Sequence, residues 1–388
     1  MIIWFSYIIP VLIALGLFVF STKKPIWWEY LILLLFPIII IASVSKISET
    51  NQTRAKEYWG GYVQTATYTE PWNEWISKTC ETCTGSGKDR SCTSYDCSYC
   101  DEHGPSWDID ATIDAPAGGK EDYDYVVSKF GPAKFVDLDR NSGCSFPKNG
   151  NKYVATFDGS VNKLVPIFSR RNYENRIQAA PTLFSYREVD TSTSMVVNYP
   201  DDPGLYHSSI LGASFENKAK ASEKLSWYNG LYGSSKQVHA WLIVYRNKPQ
   251  SIGQEQEAYW KGGGKNELVV TIGLPSVGDS IEWCYIFSWT PKKETIFQLR
   301  DSIISIGHLN DTNIVNAIGN IGIKHFVRKH FRDFKYIQIQ PSGTSIWIAY
   351  ILIILFSVGY SLFVTLRDRT NPDRFASIRN RISPRFYR

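Results

Sequence analysis

The uncharged stretches of this chain constrain it most. Ile2 to Phe20 is nineteen residues without a charge, Tyr30 to Ser45 is uncharged between Glu29 and Lys46, and Ser345 to Leu366 is uncharged again. A helix crossing a bilayer needs about 20 mostly apolar residues, and a soluble core helix rarely stays charge-free for so long. A cleaved signal peptide wants a basic start and a small-residue cleavage site. Only Met1 precedes the first run, and Phe20-Ser21-Thr22-Lys23 is no such site. Three transmembrane helices are therefore expected, two N-terminal and one C-terminal. Trp27, Trp28 and Tyr30 would serve as interfacial aromatics that extend the short second span.

Lysine and arginine next to the spans set the expected orientation. Lys23 and Lys24 sit in the first loop. The tail holds Arg367, Arg369, Arg374, Arg379, Arg381, Arg385 and Arg388 against Asp368 and Asp373. Seven charges against two leave +5, which equals the net charge of the whole chain. Both basic elements belong in the cytoplasm, which puts the large body outside it. The tail reads as an anchor facing anionic lipid headgroups. Clustered arginine also suits nucleic-acid phosphate, but the rest of the chain sums to zero and no specific nucleic acid is expected. With 13 Trp, 23 Tyr and 20 Phe, the chain is too aromatic to be disordered.

The expected class is α+β, in five parts. Residues 1–47 form a transmembrane hairpin, 48–218 a β-rich extracytoplasmic domain with a cysteine cluster, and 219–342 an α/β extracytoplasmic domain. Residues 343–366 form the last span and 367–388 a basic cytoplasmic tail. Short β-branched and aromatic runs between turn residues read as strands: EYWGGYVQTATYTEPW, WDIDATIDAP, YDYVVSKFG, KYVATFDGS, KLVPIFS and SMVVNYP. RRNYENRIQAAPTLF reads as one helix ending before Pro181. The α/β part reads as a helix ending at Gly230, then strand, short helix and two strands. Two helices follow, the last running from an Asp311 N-cap to Phe334 with Ile314, Ile318, Ile321 and, less strictly, Phe326 as its stripe. Lys324, His325, Arg328, Lys329, His330 and Arg332 would form its solvated face.

Seven cysteines are present, and Cys80, Cys83, Cys92, Cys97 and Cys100 cluster. Two chemistries compete. Cys80-x2-Cys83 and Cys97-x2-Cys100 fit a four-thiolate structural zinc site, with His103 as a substitute ligand. A body outside the cytoplasm favours disulfides instead. Either way the role is structural, and no other cofactor is expected. Seven is odd, and Cys284, in a predicted buried strand, is the expected free thiol. CETCTGSG (Cys80, Cys83, Gly85 and Gly87) resembles one zinc-binding repeat of the DnaJ-type chaperones over eight residues, which implies no chaperone activity.

Other motifs are incomplete. Gly85 to Lys88 lacks the first glycine and the final Ser/Thr of a phosphate loop. Asp137-x-Asp139-x-Asn141 lacks the later glycine and glutamate of a calcium loop. His207 stands near Asp201 and Asp202, with Ser208 and Ser209 adjacent, so a hydrolytic triad is a second reading. No GxSxG turn marks a nucleophile.

The runs NGLYGSSKQVHAWLIVYRNKP, QEAYWKGGGKNELVVTIGL and IEWCYIFSWTP resemble uncharacterised membrane proteins of bacteriophage genomes, over residues 228–336, roughly a quarter of the chain. The same unit is loosely similar to TPM domains, although their acidic metal positions have no counterpart located here. The resemblance implies a membrane location and assigns no reaction. The expected function is that of a non-enzymatic envelope protein. Its partners would be the lipid bilayer and a protein, either a second species or a second copy. A membrane-tethered hydrolase is the alternative.

Overall fold

The computed structural model describes residues 2–20, 26–85, 90–138, 140, 142–180, 189, 195–310 and 312–370, without the side chains of 2, 20 and 367–370. The fold is mixed α/β and divides into two compact units. One comprises Met1–Ala55, Tyr173–Ser185 and Phe331–Arg388; the other, the body, comprises Lys56–Asn172 and Tyr186–His330. Most of the expected β-rich and α/β parts lies in the body, but 48–55, 173–185 and 331–342 belong to the first unit.

In the first unit, α1 (Ile8–Phe20) follows a 3-10 turn at Ile2–Tyr7, and α2 (Trp27–Thr53) and α8 (Gly343–Thr370) are long (elements are numbered in chain order). At 1.5 Å per residue the last two extend about 40 Å. Two helices, Trp27–Thr53 and Gly343–Leu366, are long and apolar enough to cross a membrane. Only 22% and 17% of their most apolar windows are buried, unlike soluble core helices. Ile3, Ile41, Ala349 and Ile353 form the seam between the three helices. The small Ala349 allows close approach, as is usual between membrane helices. Leu35, Ile39, Ile351 and Leu355 point outward and exposed. Arg176 braces this unit by binding Glu49, Glu174 and the Ile337 carbonyl. The first apolar run is a shorter helix, so the expected third span goes beyond what length and composition support.

The body holds two main sheets. In the first, β1 (Arg54–Thr69) pairs antiparallel with β6 (Ser106–Ala111) and β8 (Lys152–Thr156), and β8 with β7 (Lys134–Val136); β9 (Pro166–Glu174) also joins β1. Helix α3 (Lys120–Phe130) covers this sheet with Tyr123, Val126 and Phe130, against Val63, Ala66 and Ala155. These three positions carry helical spacing, and the segment read as a strand, YDYVVSKFG, is this helix. The helix expected in RRNYENRIQAAPTLF is instead the end of β9 followed by turns through Ala179, and 181–188 lie outside the described residues. Of SMVVNYP, Met195–Pro200 are described and form no strand, but Val196, Val197 and Tyr199 pack on the core.

The second sheet has the order β10 (Ile210–Gly212), β11 (His239–Arg246), β12 (Glu267–Leu274), β13 (Trp283–Ser288). The first three strands are parallel and the last is antiparallel. Both faces of β11 and β12 are buried, which explains their unbroken apolar runs. Helix α4 (Lys218–Lys236) packs on the face of Ala240, Leu242 and Val244, and α5 (Ser251–Tyr259) on that of Trp241, Ile243 and Tyr245. The crossovers β10–α4–β11 and β11–α5–β12 step the same way across the sheet yet lie on opposite faces. One of them therefore has the rare left-handed sense.

Helix α4 does not end at Gly230 but runs on to Lys236, because glycines are needed where it meets β1. A Cβ at Gly233 would lie 2.6 Å from the Gly60 carbonyl oxygen, and one at Gly60 would strike the Asn229 carbonyl. Gly60→Ala is expected to cost about 2–3 kcal/mol through this backbone collision, read as a lower urea midpoint at unchanged m-value. After α6 (Lys293–Ile306), the expected long terminal helix is only α7 (Asn313–Ala317) plus a π turn to Ile323. Gly319 lies against the Tyr228 ring and Gly322 against Leu268, so the chain bends into the core and brings Phe326 with it. Asp311 lies outside the described residues.

Candidate functional site

Two small two-stranded sheets carry the cysteines: β2 (Trp72–Ile76) with β5 (Tyr99–His103), and β3 (Thr79–Thr84) with β4 (Ser91–Asp96). Such ribbons are marginal alone. Disulfides Cys80–Cys97, Cys83–Cys92 and Cys100–Cys144 hold them, with Cα separations of 5.8, 4.0 and 5.9 Å. Sulfurs joined in pairs leave no thiolates for the four-cysteine zinc site at Cys80, Cys83, Cys97 and Cys100. Cys144, which stands apart in sequence, is the partner of Cys100. Cys284 is free and buried in β13, and burial pushes its thiol up to about 12.

Arg374, Arg379, Arg381, Arg385 and Arg388 lie outside the described residues, as do the side chains of Arg367 and Arg369 and both Lys23 and Lys24. The basic segment before the last helix is described and is no solvated helix face. Its Arg328 turns inward and binds both carboxylate oxygens of buried Glu57 at 2.9 and 3.0 Å. Trp59 Nε1 donates to the same carboxylate at 3.0 Å, and Lys265 lies 3.6 Å away.

The aromatic surplus gathers around two histidines. Tyr58, Phe168 and Trp241 enclose His207 and His239 with ring centroids 4.4–5.4 Å apart. His207 Nδ1 lies 3.0 Å from the Asp202 carbonyl and 3.2 Å from its Oδ1. A carbonyl only accepts, so Nδ1 carries the proton and Nε2 is the acceptor. His239 Nε2, 3.4 Å away, must then donate, which leaves His239 Nδ1 as a buried acceptor without a partner. The sequence reading brought His207 and Asp202 together correctly but missed His239. Asp201 pairs with Arg170 instead. Ser208 Oγ bonds Ile210 O and Ser222 Oγ, and Ser209 Oγ accepts from Asn229. Both nitrogens of His207 are thus engaged, neither with a serine, and no triad is assembled.

An open cleft of about 880 Å³ adjoins His207. Lys129, Lys220, Lys224, Tyr125, Tyr206 and Trp227 contribute to its walls. Lys129 pairs with Glu223 at 2.9 Å, and Lys224 lies 4.3 Å over the Trp227 ring. The cleft offers cationic and aromatic surface, but His207 presents it no vacant base.

Burial lowers the proton affinity of both imidazoles; Asp202 partly offsets this for His207, and His207 deepens it for His239. Groups held neutral when folded take up protons on unfolding, so this contribution falls as pH drops below about 6.5. Glu267, fully buried at the start of β12, works oppositely. Burial raises it to about 7 against hydrogen bonds from Tyr199 and the Gly264 amide. Its folded form holds the proton more tightly. Its stabilising contribution is therefore full below the ordinary 4.5 and lost as pH rises through about 7. Glu267→Gln, which imitates the protonated acid, is expected to gain on the order of 3 kcal/mol over wild type between pH 5 and pH 8. Denaturant melts of both proteins at the two pH values check this; parallel profiles would contradict it.

Comparison with known proteins returned no match to a family model, a curated protein or a solved structure.

Proposed function

We propose that this chain is an integral membrane protein. It displays its disulfide-stapled body on the oxidising side of a membrane, to bind a protein partner or a second copy in an envelope. The observation that carries this reading is the conjunction of three disulfides in the body with two exposed apolar helices in the other unit. Disulfides persist in oxidising compartments, and uncovered apolar helices need lipid. With Ile2–Phe20 as a further span, the Lys23–Lys24 loop and the arginine tail both fall in the cytoplasm, as the positive-inside rule requires. The resemblance to bacteriophage membrane proteins agrees with a host envelope as the setting. An enzymatic role has less support, since His207 faces no nucleophile.

Protease treatment of intact spheroplasts tests this reading, with epitopes placed in the body and after Arg388. Cleavage of the body with protection of the tail is expected. A protected body would overturn the topology and remove the oxidising-compartment argument with it.

A further inference from the structure

We propose that Glu74, Asp101 and His103 bind a divalent transition-metal ion of the zinc class. The register of β2 and β5 pairs Trp72 with His103 and Glu74 with Asp101, so these four side chains share one face of the ribbon. Two carboxylates directly opposite each other on paired strands repel. Among the described residues no lysine or arginine pairs with either. Lys148 goes instead to Glu102, the alternate residue on β5.

Both carboxylates instead approach the imidazole of His103. Its Nε2 lies 3.4 Å from Glu74 Oε1 and 3.6 Å from Asp101 Oδ2. Neither approach meets hydrogen-bond geometry, and the atom is shielded from solvent without a hydrogen-bond partner. The three atoms lie within 4.8 Å of one another. Separations near 3.4 Å are too long for good hydrogen bonds, but they match the edge of a tetrahedron around an ion held at about 2.0–2.2 Å by nitrogen and oxygen.

The ligand-bearing strands are braced. Trp72 stacks on the His103 ring at 3.8 Å and 12°, and Arg140 covers the same indole at 4.7 Å. Cys100–Cys144 ties β5 to the loop between β7 and β8. Asn73 ties β2 to that loop through the Phe146 carbonyl and the Lys148 amide, at 2.8 and 2.9 Å. Pre-organisation of this kind is what a metal site on a short ribbon requires. An imidazole with two carboxylates selects zinc-class ions over calcium or magnesium, which take oxygen ligands. Three protein ligands leave the fourth position to water.

The test uses full-length protein in detergent, purified without a histidine tag, stripped with chelator and titrated with zinc chloride. One zinc per chain is expected, released progressively as pH is lowered because protons compete with the ion for its ligands. His103→Ala and Glu74→Gln should each weaken binding at least about 10-fold, since even outer-sphere partners cost that much. A count of one free thiol after denaturation shows that each variant has kept its disulfides. Zinc uptake by wild type no greater than that of both variants would overturn the site, as would equal occupancy by calcium.

Discussion

Replacing Arg328 with methionine is expected to lower the unfolding free energy by about 3–5 kcal/mol. Glu57 is almost fully buried at the start of β1, and its carboxylate takes two guanidinium hydrogen bonds from Arg328 at 2.9 and 3.0 Å. Without that partner a charge is left in a poorly solvated place. Lys265 remains 3.6 Å away and Trp59 Nε1 remains bonded, which argues for the lower end of the range. Lysine at 328 should not rescue, because a single ammonium cannot bind Glu57 and Gln237 together, as Nη2 and Nη1 of the guanidinium do, while keeping a flat cation 5.4 Å from the Trp59 ring. The double variant Glu57→Gln, Arg328→Met should recover much of the loss, because the cost comes from the uncompensated carboxylate. Urea unfolding of the two single variants and the double one decides this. A loss below about 1 kcal/mol in Arg328→Met would show that the pair behaves as an exposed one.

How far each element was legible depended on whether one physical rule acted alone. Strands β11 and β12 read plainly, because burial on both faces leaves mostly apolar residues between His239 and Arg246 and after Glu267. The three uncharged runs read as helices because their length and unbroken apolar composition leave no competing pattern. Helix α3 was obscured because Tyr125 and Val127 add β-forming texture to a segment whose Tyr123, Val126 and Phe130 carry the helical period. The last helix of the body failed for a tertiary reason. Its isoleucine stripe is sound, but Gly319 and Gly322 admit Tyr228 and Leu268, and the helix stops at Ile323. Arg328 then leaves the predicted solvated face for an acid 271 residues away. No local pattern announces that pairing, nor the burial of Glu57 and Glu267. The His207–Asp202 contact was legible because it is local, whereas His239 reaches it only through sheet pairing. Cysteine spacing announced a cross-linked cluster, but seven cysteines leave many pairings, and the choice of Cys144 rests on folding.

Removing Cys100–Cys144 by a double change to serine is expected to have the largest effect of the three disulfides. This bond closes a loop of 44 residues, against 17 for Cys80–Cys97 and 9 for Cys83–Cys92. The chain-entropy relation converts these into about 4, 3 and 2.6 kcal/mol. The structural argument gives the same order. Cys83 and Cys92 are register partners whose strands already pair, so their bond adds little new constraint. Cys100–Cys144 instead joins β5 to a loop whose other ties include the exposed Lys148–Glu102 pair on β5 and, on β2, Asn73 and the bond from the Trp75 amide to Ser142 O at 2.8 Å. Losing it frees both sides of the ribbon, and the face of Glu74, Asp101 and His103 should lose zinc affinity along with stability. Differential unfolding of the three double-serine variants under non-reducing conditions reads the order directly. Equal losses would mean that native-state strain, not loop length, governs the staples. A stable Cys100→Ser, Cys144→Ser protein with undiminished zinc binding would show that Asn73 and the Trp72 stack suffice to hold the site.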